Sequence, residues 1–304
     1  VTAAATWPEF KAAYRADVMP GMAPSTVAKV ASLFRKFEKS ARPIRLADIS
    51  SHTISTFIAY RRRKGIRDTT IRGDLGHLQS AFSWMKRHGL IAEIPQIDKP
   101  KRAKGQKAMK GRPITQEEFD SILAQTTDPA WAWLLRGLWA SGLRLSEALA
   151  LTWEPGLSMS LDFTRKRPML RVPASSEKGN QERLLPISPE FSELLSEVPE
   201  DKRSGRVFRV RFRSQETIST VISGFGKAAG VEVNREPGRI KYASAHDFRR
   251  SFGERWSAKL MPAILMQLMR HEKIETTLRY YVGRNADTAA EAIWSAHESS
   301  IWSD

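Results

Sequence analysis

The sequence predicts a mainly α-helical protein with one small antiparallel β-sheet, split into two domains. Three observations predict it. Apolar residues recur at helical spacing along most of the 304 residues. Three short runs rich in β-branched and aliphatic residues, "SLDFT", "MLRVPAS" and "ERLLPIS", fall together in the second half of the chain. Between them and the first helices lies "KPKRAKGQKAMKGR", where no apolar period survives. The expected division is a helical domain at 1–98, a linker at 99–112 and a second domain at 113–304.

The elements follow in chain order. In "TWPEFKAAYRADVM", Thr6 is placed to cap a helix and Pro8 falls in its first turn. "APSTVAKVASLFRKFEKS" lines up Val27, Val30, Leu33, Phe34 and Phe37 on one face. "SSHTISTFIAYRRRKG" carries Ile54, Phe57 and Ile58 and ends in four basic residues, which suit the negative end of a helix dipole. "DTTIRGDLGHLQSAFSWMKRHG" aligns Ile71, Leu75, Leu78, Phe82 and Met85 and stops at Gly89, giving a four-helix bundle. The second domain opens with Thr115 and Glu118 at capping-box spacing. An apolar helix then ends near Gly142, and "LRLSEALALTW" begins another. "SEKGNQ" is the turn between the last two strands, and helical patterns return over about 189–229 and from Asp247 onward.

Bulk properties narrow the function. The chain contains no cysteine, which excludes disulfides, thiolate zinc sites and cysteine nucleophiles and fits a reducing cytosol. No apolar run has the length of a membrane span, and the start lacks a signal-peptide layout. The net charge is +16. Residues 1–112 hold 23 basic and 8 acidic side chains, against 26 and 25 in the remainder. So basic a half points to a polyanion, most simply nucleic acid; a generic solvated surface is the alternative. Lys99, Lys101, Arg102, Lys104, Lys107 and Lys110 of the linker are candidate phosphate contacts.

Four places in the second domain hold polar groups that packing alone would not require. Arg144 follows a helix-ending glycine, with Glu147 three residues on to hold its guanidinium. Lys178 sits at a hairpin tip. His246 and Arg249 share a helical face at i and i+3. His271 precedes Tyr280 by nine residues, and Tyr281 is adjacent. Each alone reads more simply as surface, capping or core. Together they suit phosphoryl transfer: two guanidinium forks for phosphate oxygens, an imidazole to accept a phenol proton and an ammonium to protonate a leaving oxygen. "HEKIE" has Glu275 where the zinc signature HExxH needs histidine, and no GxxxxGK[ST] phosphate loop is present.

On "ASGLRLSEALALTW", "EKGNQERLLPI", "HDFRRSFGERW" and "LMRHEKIETTLRYYVG" the chain resembles the tyrosine recombinases, the phage-integrase family. The resemblance implies a SAM-like helical core-binding domain and a mixed α/β catalytic domain of the DNA breaking–rejoining fold. Arg144 and Arg249 look like the phosphate clamp, Lys178 like the general acid and His246 like the group acting on the nucleophile's proton. His271 looks like the second histidine position and Glu147 like the acidic support of the first arginine. The nucleophile lies nine residues after that second histidine in the family, which selects Tyr280 and leaves Tyr281 as packing, or as nucleophile if the helix is shifted. The implied activity is site-specific DNA recombination through a 3′-phosphotyrosyl intermediate and a four-way junction, without metal, ATP or other cofactor. The implied partner is double-stranded DNA with paired inverted half-sites, bound by a dimer and synapsed by a tetramer. A cytoplasmic protein is expected, prokaryotic and nucleoid-associated or encoded by a phage or mobile element, either without an arm-binding domain or lacking an N-terminal extension. Ala289, Ala292, Ile293 and Ala296 give a stripe for a helix that docks on a neighbouring protomer or on its own domain. The chain departs from the pattern at Arg270, usually glycine, at Arg250, often histidine, and in a long strand region. A topoisomerase-like relaxing enzyme, a hairpin-forming resolvase and a non-catalytic DNA-binding regulator are the rival readings.

Overall fold

The computed structural model describes residues 5–43, 45–101, 111–156, 158–174, 182–212, 214–236, 238–281, 290 and 294, for 279–281 the backbone only. The chain forms two compact units, Val1–Lys107 and Ala108–Asp304.

Among the described residues the first unit holds four α-helices, α1 (Trp7–Asp17), α2 (Pro24–Ala41), α3 (Ser51–Arg63) and α4 (Asp68–Arg87). Thr6 and Glu9 close a capping box on α1, and Pro8 sits in its first turn, where a missing N–H costs nothing. The faces read from the sequence meet in one aromatic-rich core that includes Trp7, Phe10, Phe34, Phe37, Phe57 and Phe82. Trp7 packs its ring 5.0 Å from Phe10 and 5.2 Å from Phe37, while its indole N–H donates to Glu38 at 2.7 Å. The basic end of α3 is not wholly a solvent face. Arg61 is buried and donates twice to Asp74 of α4, at 3.1 and 2.8 Å, so one charge of the run is spent joining two helices.

The second unit contains α5 (Gln116–Leu123), α6 (Pro129–Ser141) and α7 (Leu145–Ala150), followed by strands β1 (Ser160–Asp162), β2 (Met169–Val172) and β3 (Arg183–Pro186). The strands pair antiparallel in that order, with Leu170 opposite both Leu161 and Leu185 and all three buried. Then come α8 (Pro189–Ser196), α9 (Gln215–Ala228), a second antiparallel pair β4 (Glu232–Glu236) and β5 (Arg239–Tyr242), and helices α10 (Ala245–Ser257), α11 (Pro262–Leu268) and α12 (Ile274–Tyr281). The second hairpin is absent from the sequence reading. Its signal is present in "VEVNREPGRIKY", an alternating run with a Pro-Gly turn. Among the described residues no helix is long and apolar enough to cross a membrane.

Helix α6 is the centre of this unit. Leu134, Leu135 and Leu138 are fully buried, and α10 lies against α6 with Phe248 inside the same core. Gly142 ends α6 in the left-handed region, at φ +58°, and a Cβ there would lie 2.3 Å from the Phe252 ring of α10. Backbone conformation and close approach both demand glycine. The Gly142→Ala variant should therefore lose about 2–4 kcal/mol, combining left-handed strain with overpacking; chemical denaturation measures it.

Candidate active site

Two helix junctions build the site. At the first, α6 stops at Gly142, and Arg144 takes the position just before α7. The Arg144 backbone N–H donates to Glu147 Oε2 at 2.8 Å, and its guanidinium pairs with Oε1 at 2.5 Å. Glu147 thereby caps α7 and holds Arg144 together, the favourable place for a carboxylate at a helix start. Arg144 remains exposed, so its guanidinium faces solvent beside a largely buried carboxylate.

The second set comes from α10 and the α11–α12 junction. Arg249 is 3% exposed. It donates to the Gly142 carbonyl at 2.6 Å and to the Met269 carbonyl, and it lies 3.9 Å from Glu147. Arg270 is also buried and reaches Glu147 Oε2 at 3.2 Å. The backbone carbonyl of Arg270 accepts from Arg144 Nη2 at 3.5 Å. His271 follows, with Nδ1 2.8 Å from the hydroxyl of the fully buried Thr277. Three guanidiniums thus converge on one carboxylate. Burial alone would raise the Glu147 carboxyl, but Arg270, Arg249 and Arg144 together with the Arg144 N–H hold it below its usual value.

His246 lies on the first turn of α10, anchored by Asp247. That carboxylate is fully buried and accepts from Lys241 at 2.9 Å, from the Ser244 N–H at 3.1 Å and hydroxyl at 2.7 Å, and from Arg250. Partial desolvation, then the charges of Arg250 and Arg249, push His246 down to about 4. Desolvation likewise brings His271 to about 4, aided by Arg249, Arg144 and Arg270 and opposed by Glu147. Both rings are neutral at pH 7, so either can accept a proton.

The structure brings Arg144, Glu147, Arg249 and His271 into one cluster and sets His246 one turn before Arg249 on the same helix. Lys178, expected from the sequence at a hairpin tip, lies outside the described residues, as do Arg102, Lys104, Lys107, Lys110 and the stripe Ala289, Ala292, Ile293 and Ala296. Tyr280 and Tyr281 form the last turn of α12 in the backbone. Lys99 donates to Gln79 of α4, and Lys101 is exposed. Sequence reasoning missed the partners of Arg270, Arg250 and Thr277. The signal for Arg270 is a charge set directly after the apolar run "AILMQLM".

The profile of the phage integrase family matches residues 112–287. The chain is 26% identical over 222 residues to the tyrosine recombinase XerD of Pseudomonas aeruginosa, spanning 67% of this chain and 70% of that protein. It is 24% identical over 255 residues to XerC of Xanthomonas axonopodis pv. citri, spanning 80% and 77%. Its fold is shared with the Tn1549 transposon integrase solved in complex with transposon right end DNA (TM-score 0.67, 17% identity, 95% and 98% covered). It is shared also with a lambda integrase tetramer bound to a Holliday junction (TM-score 0.65, 14% identity, 94% and 80% covered). The chain belongs to the phage integrase family and to its enzyme class, the site-specific tyrosine recombinases.

Two predictions follow from the charges. Glu147→Gln leaves buried guanidiniums without their counter-charge and should cost about 3 kcal/mol or more in chemical denaturation. The histidines set a pH dependence. An unfolded imidazole takes its proton near 6.5, whereas these two wait until about 4. The unfolded chain therefore binds protons first, and stability should fall as pH drops from about 6.5 towards 4. His271→Asn should flatten that slope in urea midpoints measured across this range.

Proposed function

We propose that this recombinase cuts and rejoins double-stranded DNA through a 3′-phosphotyrosyl ester on Tyr280. The observation that carries the reading is the convergence of Arg144, from the α6–α7 junction, and Arg249, from α10, on Glu147 beside His271. Phosphoryl transfer asks mainly for fixed positive charge around the equatorial oxygens, and guanidinium forks supply it in a preorganised form.

In this scheme the Tyr280 oxygen attacks the scissile phosphorus, its proton passing to neutral His246. The bond to the 5′ oxygen breaks, Lys178 protonates that oxygen, and a free 5′-hydroxyl leaves. Arg144 and Arg249 bind the non-bridging oxygens, and His271 donates a further hydrogen bond. The 5′-hydroxyl of a partner duplex then attacks the ester, the phosphorus–tyrosine bond breaks and Tyr280 recovers its proton. One phosphoester replaces another at each step, so neither ATP nor a metal ion is needed to conserve the bond energy. Two such rounds exchange strands through a four-way junction. Paired inverted half-sites, a dimer on each and a tetramer at synapsis meet that requirement. The DNA-bound lambda and Tn1549 integrases of like fold support the assembly. The domain reading is a core-binding unit at 1–98, a basic linker at 99–112 laid along phosphates and a catalytic unit at 113–304.

The test binds the full chain to fragmented DNA, denatures it and sequences what is covalently retained. The wild type should retain a discrete set of sites. Tyr280→Phe should bring retention to background with DNA affinity unchanged, while Tyr281→Phe retains DNA. The reverse pattern would move the nucleophile by one residue. Retention by both variants would reject this mechanism. Binding should weaken with salt by about 0.9 in log K per phosphate contact for each decade.

A further inference from the structure

Arg270 occupies an improbable position for its side chain. It lies between α11 and α12 with φ +53°, a left-handed conformation that glycine adopts freely and arginine does not. Its guanidinium is buried, where desolvation lowers its basicity against the opposing pull of Glu147. Two unfavourable features in one residue require a compensating set of bonds, and the structure supplies it. Nε donates to Glu147 Oε2 at 3.2 Å, Nη1 to the Leu268 carbonyl at 2.8 Å and Nη2 to the Gly142 carbonyl at 2.8 Å.

Those acceptors belong to three segments. Leu268 closes α11, Gly142 closes α6, and Glu147 lies in α7, where it also holds Arg144. The Gly142 carbonyl is shared with Arg249. Both guanidiniums thus take their position from the same oxygen, and two like charges tolerate this closeness because Glu147 lies between them.

We propose, building on the recombinase reading above, that Arg270 is a positioning residue for the reaction. Its side chain latches the segment carrying His271 and Tyr280 to the junction carrying Arg144. Other bonds hold the segment by its backbone, from the His271 N–H to the Met266 carbonyl at 3.0 Å, from Arg249 to the Met269 carbonyl and from Arg144 to the Arg270 carbonyl at 3.5 Å, and the Arg270 side chain adds bonds from it to the Gly142 carbonyl and to Glu147. The latch sets the distance between nucleophile helix and phosphate clamp. It also neutralises Glu147, so that the fields of Arg144 and Arg249 act on the phosphate undiminished.

The test uses the full chain as Arg270→Met, Arg270→Gly and Arg270→Lys. One readout is the NMR titration of the histidines in the free protein. The charged groups acting on His271 include Arg249 from α10, Arg144 just ahead of α7, Glu147 within α7, and Arg270. Loss of the Arg270 charge should raise the His271 midpoint in the Met and Gly variants and leave His246 unmoved. The second readout is the rate of covalent trapping on a duplex that the wild type retains. It should fall by about 10–100-fold in both variants, the size expected for misplaced reacting groups, with Kd at fixed salt unchanged. Arg270→Lys should recover part of the rate. Should the Met variant not fold, the Gly variant carries the test, since glycine suits this backbone. Trapping at the wild-type rate, or a loss matched by an equal loss of binding, overturns the proposal. If the wild type itself traps nothing, the Tyr280 reading fails instead, and an unmoved His271 still refutes the latch.

Discussion

The second unit depends on one largely buried carboxylate. Glu147 caps the helix in which it lies, pairs with Arg144 ahead of it and faces Arg249 and Arg270 arriving from elsewhere in the chain. A buried guanidinium is costly unless paired, and two of them in contact are costlier still. The fold satisfies them with a single anion and with carbonyls freed at the ends of helices, at Gly142, Leu268 and Met269. Helix ends have such unpaired carbonyls by construction. Their clustering here explains why the site forms at junctions rather than along helix faces.

The charge balance suits the phosphate of the proposed mechanism. Three guanidiniums against one carboxylate leave two positive charges, with both histidines neutral at pH 7. A phosphodiester brings one negative charge, and the pentavalent state adds another while the attacking phenol gives up its proton. Because Arg249 and Arg270 are fixed before any ligand arrives, little reorganisation remains for the moment of reaction. Arg144 is the exposed member, held by Glu147 with its guanidinium facing solvent.

Much of this was legible in the residues. Helical periods mark the four-helix unit, since its faces are continuous and its cap at Thr6, like that of α5 at Thr115, follows local rules. The three-stranded sheet showed as short aliphatic runs around a Gly-Asn turn. Arg144 and Glu147 were readable because their pairing is local, three residues apart. The partners of Arg249 and Arg270 were not. They lie 107 and 128 residues away, at the Gly142 carbonyl, and no side-chain pattern marks a backbone oxygen as an acceptor. The burial of Arg61 was hidden for a similar reason: within a basic run, only the tertiary partner Asp74 separates the buried charge from the solvated ones. The β4–β5 hairpin was overlooked between two strong helical patterns, its strands EVNRE and RIKY carrying mostly charged and polar residues rather than an aliphatic run.

The central claim is that these separated groups surround one phosphorus atom. It is tested most directly by a crystal structure of the full chain with vanadate bridging the cut ends of its DNA site. The account predicts nitrogens of Arg144, Arg249 and His271 at about 2.7–3.1 Å from equatorial vanadate oxygens, with the Tyr280 oxygen in an apical position. Vanadate bound with Arg144 and Arg249 turned away, or with a different side chain at the apex, would contradict it.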